Sequence, residues 1–128
     1  MAMSGGKYVF IPDNEGDSLL YKKGEDGSKE MTDQIAKFGF ADDETFSIDY
    51  ALSKFILPRL YRFREMLNGH PIEMTFEQWT GIIDEIIWFF EQYETDFDCP
   101  EGTTQEEYDE RCNKAQWLFG EYLRSLWW

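Results

Sequence analysis

The sequence predicts a mainly α protein: a compact bundle of three or four helices with an N-terminal extended or β-hairpin segment. Apolar residues recur at helical spacing over most of residues 42–128. Two N-capping signatures mark helix starts in the same stretch. With 42% hydrophobic and 18% aromatic residues, a chain of 128 residues can bury the core of a single domain. We therefore expect an N-terminal extended or irregular segment at 1–41 and an acidic helical domain at 42–128.

The N-terminal segment has the weakest periodicity. Residues 8–11 form a short β-like run that ends at Pro12, and residues 19–21 are a candidate partner strand for a small hairpin. Two glycines within residues 22–29 indicate a loop. Residues 31–40 fit either a short helix or coil.

The first helix of the acidic domain is expected to begin near Asp42 or Asp43, where acidic residues suit the helix dipole. Pro58 interrupts its apolar pattern. An interior proline costs about 3 kcal/mol, so the segment is either one kinked helix or two abutting helices. Residues 68–71 read Asn-Gly-His-Pro and predict a stop, with Gly69 as a left-handed cap.

Two further helices begin at capping boxes. Thr75 with Gln78 starts the second helix, which should run to about Tyr93 or Thr95. Thr104 with Glu107 starts the third, which should run to near Leu126. The predicted inward stripe of the third helix is Tyr108, Cys112, Ala115, Phe119, Tyr122 and Leu126.

Other side chains of these helices carry more specific expectations. Glu107 with Arg111, and Glu110 with Lys114, have the spacing of ion pairs along one helix. Gly81 and Gly120 fall inside helices, where glycine costs up to about 1 kcal/mol relative to alanine. We expect these two glycines to mark close helix crossings. The basic cluster Lys54, Arg59, Arg62 and Arg64 is expected to pair with the acidic helices, within the monomer or across a dimer.

Negative charge is concentrated in the C-terminal part of the chain. Residues 75–110 contain twelve carboxylates and no Lys or Arg, and residues 75–128 carry a net charge of −10 from three basic and thirteen acidic residues. The whole chain has a net charge of −14. Binding to nucleic acid or to an anionic membrane needs clustered cations, so this charge argues against both. It favours a basic protein as the partner.

The candidate interaction residues lie on one stripe of the second helix, in the connection after it, and on the third helix. The stripe also contains Gly81 and Thr95, and its Trp88 lies among carboxylates, as Trp117 does on the third helix. Exposed tryptophans are typical of binding hot spots. The alternative is that these two rings are covered by the N-terminal segment or by each other. The interaction set is Glu77, Asp84, Trp88, Glu91, Glu94, Asp96, Asp98, Glu101 and Trp117.

The sequence contains little that supports catalysis or metal binding. The one histidine, His70, lies in a turn, and no glycine loop matches a phosphate-binding pattern. Asp96, Asp98 and Glu107 have part of the spacing of a calcium loop but lack its other features. Cys99 and Cys112 lack the close pairing of a zinc site, and we expect free thiols. We therefore predict no catalytic residue, metal or cofactor. No secretory signal or membrane span is visible.

Three stretches carry a resemblance: residues 49–60 (DYALSKFILPRL), residues 79–91 (with Trp79, Ile82, Ile83 and Trp88) and residues 119–127, which begin Phe-Gly and end Ser-Leu-Trp. Together they resemble a family of small, functionally uncharacterised proteins encoded by tailed bacteriophages, over roughly residues 40–128. The resemblance implies a phage or prophage origin and the host bacterial cytoplasm. It carries no active site to transfer.

Charge and resemblance together predict a non-enzymatic phage protein that binds a host protein through an acidic surface. A concrete form is an inhibitor of a nucleic-acid-binding defence system, of the anti-CRISPR or anti-restriction type, that mimics DNA. Glu77, Asp84 and Glu91 recur about 10 Å apart along a helix, wider than successive phosphates, so acids of the following connection would fill the gaps. The alternative is a structural, assembly or homodimeric protein whose acidity only gives solubility; a hydrolase or metal enzyme has the least support.

Overall fold

The computed structural model describes residues 29–127, and these residues are mainly helical. The α-helices are α1 (Lys29–Phe38), α2 (Ile48–Met66), α3 (Phe76–Glu91) and α4 (Gln105–Tyr122), with 3₁₀ turns at Asp42–Thr45, Gln92–Thr95 and Leu123–Ser125. No strand occurs within residues 29–127. The mainly α prediction is confirmed. The predicted hairpin and Trp128 lie outside the described residues.

The contacts between residues divide the chain into two units at Phe55 and Ile56, within α2. In the first unit, α1 lies within the segment predicted to be extended or irregular, and it decides the alternative left open for residues 31–40 in favour of a helix, which begins at Lys29 and ends at Phe38. An ion pair from Lys29 to Asp33 (2.8 Å) spans the first turn. Gly39 ends the helix at φ 85°, with its N–H bonded to the Ile35 carbonyl at 2.8 Å.

The turn after α1 is tied back to that helix by two hydrogen bonds. The Asp42 N–H donates to Gln34 Oε1 (2.8 Å), and Gln34 Nε2 donates to Asp42 Oδ2 (3.0 Å). The buried Glu44 carboxylate accepts from the Ala41 N–H at 2.6 Å. Asp42 and Asp43 therefore begin a 3₁₀ turn, and the long helix begins a few residues later at Ile48.

Helix α2 is one continuous helix that contains Pro58, which settles the alternative between one helix and two. Pro58 is exposed, so the backbone carbonyl that it leaves without a helical donor can bind water. The helix ends at Met66, before the predicted stop. Gly69 does not have a positive φ, so the left-handed cap predicted there is wrong. Residues 67–71, which follow the helix, have no regular secondary structure.

The second unit is a three-helix arrangement of the end of α2, α3 and α4. Its core is built on α3, and Trp79, Ile83 and Ile86 of this helix are its largest fully buried side chains. Both capping boxes are present, because the Thr75 and Thr104 hydroxyls each accept a backbone N–H at 3.1 Å. The inward stripe of α4 is confirmed, since Tyr108, Cys112 and Ala115 are buried and the other three members pack on the core.

The two helix-interior glycines do not mark helix crossings. A Cβ placed on Gly81 or Gly120 would meet no atom within 4 Å other than the backbone of its own helix and chain neighbours. The prediction of close packing at these positions is therefore wrong. Both glycines are exposed on the surfaces of α3 and α4.

Candidate protein-binding surface

The predicted acidic stripe of α3 is largely engaged by α2. Arg64 Nε donates to Asp84 Oδ1 at 2.8 Å, and Arg64 Nη2 donates to Asp84 Oδ2 at 3.4 Å. This hydrogen bond raises the pKa of Arg64. The Tyr61 hydroxyl donates to Glu91 Oε2 at 2.6 Å. Of the three predicted stripe acids, only Glu77 makes no ion pair or side-chain hydrogen bond to its carboxylate within residues 29–127.

The basic cluster of α2 follows its prediction only in part. Arg64 pairs with α3 as expected. Arg62 instead pairs with Glu65 of its own helix at 3.1 Å, and Lys54 lies over the Tyr50 ring at 5.3 Å. From this cluster, the Arg64–Asp84 ion pair connects α2 to α3.

Trp88 packs against α4, so its ring is not freely available to a binding partner. The Arg111 guanidinium lies 3.8 Å from the centroid of the Trp88 ring, and Tyr108 meets the same ring edge-on at 5.9 Å. Arg111 also donates from Nε and Nη2 to the two Glu85 oxygens at 3.1 and 2.7 Å. Neither the predicted N-terminal segment nor Trp117 is needed to explain this packing. The ring is half-buried.

These contacts also correct the predicted ion pairs along α4. No ion pair joins Glu107 to Arg111, or Glu110 to Lys114, in the part of the chain that the structure describes. Arg111 reaches across to α3, because there its guanidinium can form a bidentate pair with the Glu85 carboxylate and lie over the Trp88 ring at the same time. Glu107 instead accepts a hydrogen bond from the Thr104 hydroxyl at 2.9 Å.

The remaining predicted acids lie in the connection from α3 to α4, which we call the acidic loop (residues 94–101). Its carboxylates are Glu94, Asp96, Asp98 and Glu101. All four are exposed, and none forms an ion pair with another described residue. Glu106, in the first turn of α4, is also exposed. The acidic loop and Glu77 are thus the parts of the predicted site whose carboxylates have no cationic partner among the described residues.

An aromatic side chain holds the acidic loop in place. The Phe97 ring contacts Tyr93 and Phe89, with ring centroids 4.8 and 5.7 Å apart, and packs on the core. Asp96 and Phe97 both have left-handed backbone conformations, with φ 55° and 57°. This conformation costs roughly 1–2 kcal/mol for each non-glycine residue, so packing must offset it. The backbone that carries the loop carboxylates is therefore anchored to the core by Phe97, and we call this anchor the Phe97 base.

Backbone and thiol hydrogen bonds complete this base. The Phe97 N–H donates to the Gln92 carbonyl at 2.9 Å, and the Asp98 N–H donates to the Thr95 carbonyl at 3.1 Å. The Cys99 thiol donates to the Thr103 carbonyl, with sulfur and oxygen 3.2 Å apart. From α4, the Tyr108 hydroxyl donates to Gln92 Oε1 at 2.7 Å. Loop and helix ends are thus connected on both sides.

Trp117 lies apart from the acidic loop. Its side chain is 60% exposed, on the side of α4 opposite the buried stripe. Twelve residues separate it from Gln105 at the start of the helix, which is about 18 Å along the axis. Trp117 and the acidic loop therefore belong to separate surfaces.

The described residues contain no cluster of three or more groups that could hold a metal ion. The His70 ring nitrogen Nδ1 lies 2.8 Å from the Pro71 carbonyl. Both cysteines are free, as predicted. Burial raises the pKa of the Cys112 thiol, which disfavours the reactive thiolate.

The chain matches no protein-family model, and no curated protein or solved structure matches it significantly. Within residues 29–127, no helix has the length and apolar character that crossing a bilayer requires.

Proposed function

We propose that this protein is a non-enzymatic binding protein whose acidic loop binds the basic, nucleic-acid-binding surface of another protein. The observation that carries the proposal is the set of four exposed loop carboxylates without a cationic partner in the described chain, held on the Phe97 base. Fixed charges attract an oppositely charged surface without the cost of ordering a mobile segment. The net charge of −14 acts in the same direction.

The finer form of the proposal follows from the resemblance to tailed-phage proteins. In a host bacterial cytoplasm, a protein with this surface would act as a nucleic acid mimic. It would inhibit a defence protein such as a CRISPR effector or restriction enzyme by occupying its DNA-binding groove. The α3 stripe contributes less than the sequence predicted, because Asp84 and Glu91 are already bonded to α2.

The test compares two variants with the same change in net charge. The first removes the loop charges: Glu94→Gln, Asp96→Asn, Asp98→Asn and Glu101→Gln. The second removes four exposed charges elsewhere: Glu30→Gln, Asp43→Asn, Glu110→Gln and Glu121→Gln. Asparagine tolerates the left-handed conformation at position 96, so the loop variant should keep its fold. Circular dichroism checks both variants.

Each protein is used as bait in a bacterial lysate that contains defence systems, with stepwise salt elution and with DNA as competitor. We expect the wild type and the control variant to retain a nucleic-acid-binding protein that salt and DNA release, because screening weakens such contacts. The loop variant should lose it. Equal retention by the two variants would show that the loop has no particular role and that acidity serves solubility.

Trp117 supports a second candidate function, an assembly or homodimeric protein. A tryptophan that is 60% exposed among charged residues is typical of an interface. If it joins two copies, the mass of the wild type in solution is that of a dimer and Trp117→Ala is a monomer. A monomeric wild type at high protein concentration would exclude this function.

A further inference from the structure

An open groove of about 630 Å³ lies between α3 and α4, on the second unit. Its apolar lining consists of Met74, Ile82, Leu118 and Tyr122, all of which are half-buried. These side chains pack on the core with one side and face the groove with the other. The groove is separate from the acidic loop and contains none of the predicted interaction residues.

Gly81 makes this groove accessible to a second backbone. It lines the groove, and a Cβ at this position would meet no neighbouring atom within 4 Å. Glycine in a helix interior is less stable than alanine by roughly 0.5–1 kcal/mol, and no described contact requires it here. A glycine on a helix surface lets another chain approach its backbone closely. Gln78 and Glu85, which lie at the two ends of the α3 lining, are seven positions apart, about 10 Å along the helix axis, which matches two turns of a docked helix.

Charge selects among the possible occupants of the groove. A second copy of a chain with net charge −14 is repelled, and so are nucleic acids and anionic lipids. Glu73, on the rim, forms no ion pair with a described residue, and neither does Glu77 one turn before Gly81. Glu85 is already paired with Arg111, and Lys114 stands on the α4 side. Lys114 forms no ion pair with a described residue either, so the unpaired charge is positive on the α4 side and negative towards the start of α3, where Glu73 and Glu77 lie.

We propose that the groove binds an amphipathic helix of a basic partner protein. The apolar face of that helix lies on Ile82, Leu118 and their neighbours, its closest approach is at Gly81, and its cations point towards Glu73 and Glu77. This inference rests on the proposed function in one respect, namely that the partner is basic. It adds the secondary structure that the partner presents and a second contact surface.

The test uses two labelled peptides of about 14 residues, roughly four helical turns. One is an amphipathic leucine–lysine helix, and the other has the same number of lysines among glycine and serine and has no apolar face. Fluorescence anisotropy measures their binding to the wild type, to Gly81→Leu, which fills the groove, and to Gly120→Leu. Gly120 is the matched control, because it is also an exposed helix-interior glycine with open space around its Cβ and it lies outside the groove.

We expect Gly81→Leu to weaken binding of the leucine–lysine helix about tenfold, which corresponds to about 1.4 kcal/mol. Gly120→Leu should change it by less than about twofold on the same scale. The glycine–serine–lysine peptide should not distinguish these variants. If Gly81→Leu binds the amphipathic helix as tightly as Gly120→Leu does, or more tightly, the groove is not its site.

Failure of the proposed function would be visible separately. The acidic-loop variant and its charge-matched control are compared with the glycine–serine–lysine peptide, which reports on charge alone. Equal affinity of these two variants would contradict a role for the loop and leave the groove result unaffected. A groove failure leaves the loop comparison unaffected in the same way.

Discussion

The α3 stripe and the acidic loop carry the same kind of side chain and use it differently. In the stripe, Asp84 is held by Arg64 and Glu91 by Tyr61, both from α2. The carboxylates of the loop have no cationic partner among the described residues. The number of acids in a segment therefore does not determine how much of its charge is unpaired. That charge depends on which donors the neighbouring helices present.

The largest expected effect comes from removing the base of the loop. Phe97→Ala deletes the ring that contacts Tyr93 and Phe89, and it should lower the free energy of unfolding by about 2–3 kcal/mol, since the ring is only partly buried. Urea denaturation followed by circular dichroism measures this. Phe76→Ala is the control, because Phe76 is 41% exposed and should cost less than about 1 kcal/mol. Equal losses would mean that Phe97 does not anchor the loop.

The next effect concerns the contact between α4 and α3. Arg111→Gln removes both the stacking on Trp88 and the pair with Glu85, and we expect a loss of about 1–2 kcal/mol. Arg62→Gln removes an arginine whose ion pair with Glu65 lies within one helix and is mostly exposed. It should change the unfolding free energy by less than about 0.5 kcal/mol. If the two substitutions lower the free energy of unfolding equally, the stacking of Arg111 on Trp88 does not contribute more to stability than an exposed ion pair.

Arg64→Gln should make the stripe resemble the loop. It releases Asp84 and should cost about 0.5–1 kcal/mol of stability, because the pair is partly exposed. The freed carboxylate should tighten binding of the glycine–serine–lysine peptide about twofold at low salt. Arg124→Gln is the control, because it changes the net charge equally and Arg124 forms no ion pair with a described residue, so no carboxylate is freed. No difference in peptide affinity between these variants would show that only total charge matters.

The smallest effect is a dependence on alkaline pH. The hydrogen bond to Glu91 is the main cause that raises the pKa of Tyr61 from 10.0 to about 12, and burial adds to it. For Tyr108, burial is the main cause that raises the pKa from 10.0 to about 12. Because the folded pKa lies above the unfolded value, the stabilisation is complete below pH 10 and is lost as the pH rises from about 10 to 12. Urea midpoints across this range should fall less steeply in Tyr61→Phe than in wild type. Parallel curves would contradict the assigned role of Tyr61.

Local features of the fold could be predicted from the sequence. The starts of α3 and α4 were predicted because a capping box lies within four residues of chain, as at Thr75 and Thr104. Gly39, with its positive φ, is an equally local signal for the end of α1. Pro58 is different: its tolerance within α2 depends on which side of the helix faces water, and spacing alone left two alternatives open.

For the candidate site, the sequence predicts which side chains are exposed in the loop, but not which side chains of different helices pair. The four acids of the loop are exposed as expected, because connecting loops lie on the protein surface and charged side chains there remain in water. The partners of Arg111 could not be predicted, since Glu107 lies one turn away in sequence while Glu85 and Trp88 come close only after α3 and α4 pack. The same holds for Asp84, whose partner Arg64 is brought to it by α2.

The left-handed turn at Asp96 and Phe97 has a consequence for the thermodynamics of association. A partner that binds the loop with this backbone unchanged costs the loop little chain entropy. Its carboxylates must still give up bound cations and water, and the partner's cations must give up their anions. Binding at this loop is therefore expected to be driven by the release of small ions and solvent, with little change in heat capacity because few apolar atoms are covered there.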